Sequence, residues 1–200
     1  MAQKRKKSME KVFDDYRKFF DYIQESRKFI FLSIFIFIFF SLFGYFFQVP
    51  DFISSQIIKL ITEIIEKTKD MSQMDMTIFI FLNNLKSSFF GMIFGVFLGI
   101  FPIFLLIVNG FLLGFVASLS VSSEGILSLW KVFPHGIFEL PAVFISLGLG
   151  IRLGAFIFEK NKRKLFKYHF LNSLRVFLFI VIPLLFIAAV LEGILIFIFK

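Results

Sequence analysis

Long apolar stretches, separated by short polar segments, dominate the pattern of the chain. A helix that crosses a bilayer needs about 20 mainly apolar residues at a rise of 1.5 Å each. Four regions meet this requirement: Phe29–Phe47, Thr77–Val121, Gly136–Phe158 and Leu174–Phe199. Because Thr77–Val121 is about twice the necessary length, we expect it to fold as a hairpin of two spans. The pattern therefore predicts an all-α protein, a polytopic transmembrane helical bundle of about five spans.

The turn of this hairpin has two candidate positions. Pro102 suits the first turn of a helix, where its missing N–H costs nothing, and it leaves Thr77–Ile100 and Pro102–Val121 as spans. Asn109-Gly110 is a common turn dipeptide, but a turn there leaves a following span of only about a dozen residues. Pro102 is preferred because both resulting spans are long enough to cross a bilayer.

Apolar residues also recur at helical spacing in two segments that are too polar to be spans. The set before the first span is Val12, Tyr16, Phe19, Phe20 and Ile23. The set after it is Phe52, Ile53, Ile57, Ile58, Leu60, Ile61, Ile64 and Ile65. Both predict amphipathic interfacial helices. For the first segment, a charged helical tail is the alternative, whereas the second can hold lipid, cap the bundle or dock a partner.

These assignments divide the chain into four parts. They are a basic amphipathic cytoplasmic or interfacial segment (1–28), a first transmembrane helix (29–47), an outer amphipathic segment (48–76) and a four-span core domain (77–200). We expect the first transmembrane helix to be retained rather than cleaved as a signal peptide. Its apolar run exceeds a typical signal-peptide core and no small-residue cleavage site follows it.

Composition and charge then fix an orientation. Hydrophobic residues make up 58% of the 200 residues and charged residues only 18%, too few to cover a water-soluble globule. Nine of the 22 Lys and Arg lie in the first 28 residues, and seven lie between Arg152 and Arg175. Basic clusters beside spans face the cytoplasm, and five spans place both clusters there. We therefore expect a multi-pass protein of the cell membrane, with its amino terminus cytoplasmic, its carboxyl terminus outside and no nucleic acid bound.

Several kinds of chemistry lack the residues that they need. The chain has no Cys, which excludes disulfides, thiol catalysis and Cys-based zinc or iron–sulfur sites. Walker, serine-elbow, HExxH and dinucleotide-binding motifs are missing as well. Ser122, Ser123 and His135 lie near each other along the chain, but no pattern positions them as a nucleophile and base. We therefore predict no enzyme activity, no catalytic residues, no cofactor and no metal.

Glycines at four-residue spacing mark the predicted helix contacts. Small residues at this spacing let membrane helices approach closely, which matters because the hydrophobic effect does not drive helices together in lipid. The predicted helix-packing glycines are Gly91, Gly95, Gly99, Gly110, Gly114, Gly136, Gly150 and Gly154. They predict packing within the chain, with an interface in a homo-oligomer as the alternative.

A few polar residues interrupt the predicted spans. An ionisable side chain in the middle of a span costs about 2.5–3.5 kcal/mol, so we expect it to have a structural or functional reason. Under the predicted topology, Asn83 and Lys86 accompany other polar groups in the outer part of the bilayer. The predicted functional polar cluster is Asn84, His135, Glu139, Glu192 and Asn109.

Two members of this cluster, His135 and Glu139, are four residues apart and share a helix face. Pro134 suits the start of their helix. A zinc site needs three protein ligands, and Glu192 is the only obvious third one. We predict a hydrogen-bonded structural cluster, with an ion or proton role as the alternative. Near the inner end of the same span, Arg152 is expected to reach the lipid headgroups.

The order of these features resembles a known family. Asn84 is followed by Gly95 and Gly99, by Asn109-Gly110 with Gly114, by "FPHGIFELPA" with His135 and Glu139, by "GLGIRLG" with Gly150 and Gly154, and by "IAAVLEG" with Glu192. From about Met76 to the carboxyl terminus, this pattern resembles the stage II sporulation protein M family, also called the domain of unknown function 95 membrane proteins. The P-H-G-x-x-E-x-P core is the most specific part of the resemblance.

The resemblance implies an integral membrane scaffold. In spore-forming bacteria, the namesake of the family helps to engulf the forespore and holds a peptidoglycan-degrading machine in place with two partner proteins. Members also occur in bacteria and archaea that form no spores, so the family name does not fix the process here. No catalytic role for His135, Glu139 or Glu192 follows from it.

Two functions from different classes remain open. The first is a non-enzymatic integral membrane scaffold or complex subunit that organises partner proteins in the membrane. The second is a transporter or permease subunit that moves an ion, a small solute or a lipid through the outer-half polar cluster. The expected partners are the lipid bilayer, other membrane or envelope proteins and, in a homo-oligomer, further copies of the chain.

Overall fold

The fold is helical throughout the described residues. The computed structural model describes residues 17–47, 49–159 and 161–198, and for residues 130–138 it describes the backbone only. After a helical segment over residues 17–25, this part of the chain forms seven α-helices. They are α1 (Arg27–Phe46), α2 (Asp51–Thr68), α3 (Gln73–Ile93), α4 (Ile100–Glu124), α5 (Leu129–Ala155), α6 (Lys162–Val176) and α7 (Ile182–Ile198). The predicted all-α bundle is confirmed.

Five helical stretches of the described chain are long and apolar enough to cross a membrane. They are Arg27–Phe46, Gln73–Val96, Ile100–Glu124, Glu139–Phe158 and Lys162–Ile198. The last stretch joins α6 and α7 through a π-helical turn at Phe177–Val181. A π-helical turn just before Pro183 gives room for its ring, which would otherwise meet the carbonyl four residues earlier. The chain is a multi-pass membrane protein.

The hairpin between α3 and α4 turns at Leu98 and Gly99. Both have a positive φ, 58° and 71°, which ends one helix and starts the next. Helix α4 begins directly after this turn, so Pro102 lies in its first turn, where proline is tolerated. The turn is thus three residues before the preferred position, and Asn109 and Gly110 lie within α4.

Helix α5 forms the centre of the bundle. It packs against α1 and α4 on one side and against α3 and α7 on the other, and it is the most buried of the five spans. A cluster of buried apolar side chains lies on each side of it. The first includes Phe37, Leu106, Leu147 and Ile151, and the second includes Met92, Leu149, Leu153, Val176 and Leu185. Every other span is therefore positioned by its contact with α5.

Helix α5 also starts earlier than the sequence analysis predicts. It begins at Leu129, after a short 3-10 turn at Ile126–Ser128, so Pro134 lies inside the helix. The prediction that Pro134 opens this helix is therefore wrong. His135 and Glu139 are still four residues apart within one continuous helix.

The bundle has one distinctly basic end. Arg152 near the end of α5 pairs with Glu25 ahead of α1, and the rings of Phe156 and Phe166 lie 4.8 Å apart at the start of α6. The described residues of both predicted basic clusters therefore meet at the same end, which we call the basic end. The end where α1 stops and α3 begins is called the opposite end.

Helix α2 lies outside the bundle at the opposite end. Its apolar residues occupy one side of the helix, as the sequence pattern predicts, yet Ile57 is its one buried residue. Phe52 and Leu60 are exposed. Lys67 links α2 to α3, with its Nζ atom 5.7 Å from the centre of the Phe79 ring. The division of the chain into four parts stays a prediction, and residues 1–16 of its first part lie outside the described residues.

Candidate functional site

The predicted glycines of α3 and α5 lie where these two helices touch. A Cβ atom built at Gly150 would lie 2.9 Å from the carbonyl oxygen of Gly91, and one built at Gly95 would collide with the Gly150 backbone. Gly154 meets the backbone of Gly99 in the same way. Because Gly99 lies in the turn, it is not part of the continuous helical ridge that its spacing suggested.

The glycines of α4 bring this helix against α1. A Cβ atom built at Gly110 would lie 2.5 Å from the carbonyl oxygen of Phe37, and one at Gly114 would collide with the backbone of Ser41. Close approach of helix backbones needs this lack of side chains. The described glycine contacts of α3, α4 and α5 are thus made within one chain.

A cavity of ≈ 350 Å³ opens between α1, α3, α4 and α5. Its polar lining consists of Asn83, Asn84, Ser87, Ser88, Asn109 and Glu139. Apolar side chains, including Phe37 of α1, form the rest of its wall. The cavity therefore brings together three residues of the predicted polar cluster: Asn84, Asn109 and Glu139.

The polar groups of this cavity are only partly satisfied by the protein. The Asn109 amide donates a hydrogen bond of 2.8 Å to the carbonyl oxygen of Leu105 in its own helix. The amides of Asn83 and Asn84 lie 3.5 Å apart, at the limit for a hydrogen bond. The Ser88 side chain is 2% exposed, and its Oγ has no hydrogen-bond partner in the described part of the chain. Buried polar groups of this kind are uncommon in folded proteins.

Glu192, which the sequence analysis placed in the same cluster, does not line the cavity. Its neighbour Gly193 packs against the Thr77 side chain. Thr77 lies seven residues before Asn84 in α3, which is about 10 Å nearer the opposite end at a helical rise of 1.5 Å. The structure thus separates Glu192 from the cavity along the bundle axis.

The remaining predicted site residues, His135 and Gly136, belong to residues 130–138, and their side-chain surroundings lie outside the described part of the structure. Within the described part of the chain, no group of three His, Cys, Asp or Glu could hold a metal ion. The polar groups of the cavity are amides, hydroxyls and one carboxyl group. They can hydrogen-bond to a polar molecule or to another protein.

Lys86 lies on the outer face of α3 and is not among the residues that line this cavity. Its side chain is exposed, and it makes no ion pair or hydrogen bond to any described residue. A groove of ≈ 560 Å³ runs next to it, between α3 and the rod formed by α6 and α7. The other lining residues of the groove are all apolar, among them Phe89, Phe90, Phe177 and Leu178. The lysine is therefore an isolated cation on an apolar surface.

A second polar cluster lies at the basic end, where the sequence analysis expected none. Arg152 is only 7% exposed. Its guanidinium pairs with the Glu25 carboxylate, donates a hydrogen bond of 2.5 Å to Ser26 Oγ and stacks 4.7 Å from the centre of the Tyr22 ring. The prediction that Arg152 reaches the headgroups is wrong, because the segment before α1 covers it.

The Tyr22 hydroxyl extends this cluster to α6. It donates to the carbonyl oxygen of His169 at 3.1 Å, and it also lies 3.1 Å from Ser173 Oγ and 3.3 Å from His169 Nδ1. Burial raises the pKa of Tyr22 to about 12, because desolvation disfavours the phenolate. These contacts attach the helical segment over residues 17–25 to the bundle.

Comparison with known proteins agrees with the sequence resemblance. The family model for Stage II sporulation protein M matches residues 33–195. This match covers all five spans from within α1 to within α7, and the chain belongs to that family. No curated protein and no solved structure matches the chain.

Proposed function

We propose that this member of the stage II sporulation protein M family is a non-enzymatic scaffold that holds partner proteins in the membrane. The observation that carries the proposal is the exposed polar pair of Asn83 and Lys86 in the middle of α3. Polar and charged groups at this depth are costly in lipid and normally face protein or water. A scaffold presents such groups to the proteins that it binds.

The packing of the bundle supports a fixed frame. Gly110 and Gly114 hold α4 against the backbone of α1, and Gly95 and Gly150 do the same for α3 and α5. Helices whose backbones touch at glycines have little room to move closer, and the interdigitated side chains around these contacts resist a shift. Such a frame suits a protein that positions others.

The orientation proposed for this scaffold places the basic end in the cytoplasm of the cell, with the carboxyl terminus outside. The meeting of the described basic residues of both clusters at one end supports it, because Lys and Arg near spans are retained on the cytoplasmic side. Helix α2 then lies on the outer surface. Its exposed apolar side chains are available to the membrane surface and to envelope proteins.

Co-purification after crosslinking tests the scaffold. The full-length chain, tagged and expressed in its own host, is crosslinked in cells and purified in mild detergent. We expect defined membrane or envelope proteins at a constant ratio to the chain, and the same ratio for the Glu139→Gln variant. If the crosslinker reacts with several exposed residues of the chain and the chain is still recovered alone, the proposal is contradicted.

Transport is the second candidate function, and the cavity favours it. A site with amides, hydroxyls and the Glu139 carboxyl group inside an apolar bundle can hold a small polar solute. The test is flux through vesicles that contain only the purified chain. Flux that is abolished by Glu139→Gln and kept by Glu192→Gln, with both variants folded, would replace the scaffold by a transporter.

A further inference from the structure

We infer that Lys86 and the apolar groove beside it form a docking site for one membrane-spanning helix of a partner protein, and that this helix carries an Asp or Glu at the middle of the bilayer. The inference rests on the proposed scaffold function and names the chemistry of its partner. It joins two features of the same face of α3, an unpaired cation and a groove with apolar walls.

The depth of Lys86 is the first step. Its span runs from Gln73 to Val96, so Lys86 is thirteen residues from one end and ten from the other. At 1.5 Å per residue, these distances are about 20 Å and 15 Å. A lysine side chain is too short to bring its ammonium group to the headgroups from there. The charge therefore stays at a depth where it needs a partner.

The groove supplies the apolar part of such a contact. It lies between α3 and the α6–α7 rod, and Phe90 and Leu178 on its two walls are both exposed. Membrane helices associate by packing side chains into such depressions. A helix lying in this groove would pass Lys86 at its edge.

A carboxylate on a helix fits Lys86 better than a lipid does. The anionic group of a lipid lies at the bilayer surface, about 15 Å from Lys86 along the span. An acyl chain can fill the groove, but it leaves the ammonium group unpaired. A helix with an acidic residue at its middle does both: its apolar side chains fill the groove, and its carboxylate pairs with the ammonium group of Lys86. Charges inside a membrane pair with one another in this way.

A second copy of the chain fits less well. In the described spans, the acidic residues away from the ends of their helices are Glu139, which lines the cavity, and Glu192, which lies near the opposite end. Glu139 therefore faces a space between four helices of its own chain, and Glu192 lies at a different depth from Lys86. The complementary acid must therefore come from a different protein.

The experiment uses the full-length chain and designed peptides in phosphatidylcholine vesicles. The chain has no Cys, so a Ser55→Cys substitution on the exposed side of α2 takes one fluorescent donor. The acceptor is carried by a Leu-rich membrane-spanning peptide with Glu, Gln or Lys at its centre. We expect the Glu peptide to bind about tenfold more tightly than the Gln peptide, and the Lys peptide to bind most weakly.

Variants of the chain assign this preference to Lys86. Lys86→Met should make the Glu and Gln peptides equal, and Lys86→Glu should favour the Lys peptide. Lys59→Met on α2, which removes the same charge elsewhere, should leave the tenfold preference unchanged. Equal binding of the Glu and Gln peptides to the unmodified chain would overturn the inference. The inference would also be overturned if the chain associates with itself, loses this association in Lys86→Met and binds the Glu and Gln peptides equally. Lys86 would then contact a second copy of the chain.

Failure of the acidic-helix site and failure of the scaffold proposal give different experimental outcomes. If host proteins co-purify with the chain and Lys86→Met still binds them at the same ratio, the scaffold stands and the acidic-helix site is wrong. If no host protein co-purifies, the scaffold fails, whatever the peptides show. The inference is supported only when peptide preference and host-protein binding both fall in Lys86→Met and both persist in Lys59→Met.

Discussion

The polar groups at the basic end and those in the middle of α3 differ in whether the chain itself satisfies them. At the basic end, buried Arg152 contacts Glu25, Ser26 and Tyr22, and the Tyr22 hydroxyl in turn reaches α6. In the middle of α3, Ser88 Oγ and Lys86 have no described partner. Satisfied polar groups stabilise the fold, whereas unsatisfied ones are costly and imply a further contact.

This difference shows that polarity alone does not locate a functional site in a membrane protein. Arg152 is a charged residue in a span, and its contacts are those of a structural link. Lys86 is also a charged residue in a span, but its contacts are still to be made. Variants in both regions test this difference, and a variant of the frame that carries both regions comes first.

The largest effect is expected for Gly114→Leu. The new side chain would collide with the backbone of Ser41 and push α1 away from α4. We expect a loss of about 3 kcal/mol or more in the free energy of unfolding, or no folded protein. Thermal unfolding in detergent measures it, with Ser123→Leu on an exposed position of the same helix as the control. Equal melting temperatures would show that this contact does not hold the frame.

The next effect is expected for Glu25→Ala. It leaves the buried Arg152 guanidinium without its carboxylate, while Glu25 itself is half-exposed. We expect a loss of about 1–3 kcal/mol in the free energy of unfolding, because solvent moderates the cost of the unpaired charge. Glu159→Ala, an exposed acid at the same end, is the control and should change little. If both variants unfold alike, the ion pair is not structural.

Tyr22→Phe should cost about 1 kcal/mol through the lost hydroxyl contacts, and it should also change the response to alkaline pH. The folded pKa of Tyr22 lies above the ordinary value of 10.0, at about 12. Stability from this group is therefore complete below pH 10, and it falls between pH 10 and about 12 as the unfolded tyrosine ionises first. Tyrosinate absorbance and thermal unfolding across this range should both lose that component in Tyr22→Phe. If the tyrosinate titration of Tyr22→Phe equals that of the unmodified chain, the tyrosine with the raised pKa is a different residue.

The smallest effect is expected for Ser88→Ala. Because Ser88 Oγ has no hydrogen-bond partner among the described residues, its removal should leave the free energy of unfolding unchanged or raise it slightly. Ser146→Ala is the matched variant. It deletes a buried hydrogen bond of 2.8 Å to the Ser88 carbonyl oxygen and should cost about 1 kcal/mol. A large loss in Ser88→Ala would reveal a stabilising contact of this hydroxyl.

Local pattern predicted the spans but not the links between distant segments. Uninterrupted apolar runs are long enough to be read directly as membrane helices, and Pro102 marked the hairpin turn to within three residues. The Arg152–Glu25 pair joins residues 127 positions apart, and Tyr22 meets His169 across 147 positions. No periodicity within one helix encodes such a contact.

The polar cluster was predicted in part for the same reason. Depth along a span can be counted from sequence, and this placed Asn84, Glu139 and Glu192 together in the outer part of the bilayer. Counting does not show which way a helix faces or how two helices are shifted along each other. The contact of Gly193 with Thr77 sets that shift and moves Glu192 away from the cavity.

Lys86→Met tests the central claim most directly when stability and binding are measured on the same purified protein. If the lysine is an unsatisfied docking group, thermal unfolding of the isolated chain should be unchanged or occur at a higher temperature, because a costly charge has been removed. Binding of the Glu-containing peptide should fall about tenfold. A lower unfolding temperature together with unchanged peptide binding would contradict the account, because Lys86 would then be a structural residue like Arg152.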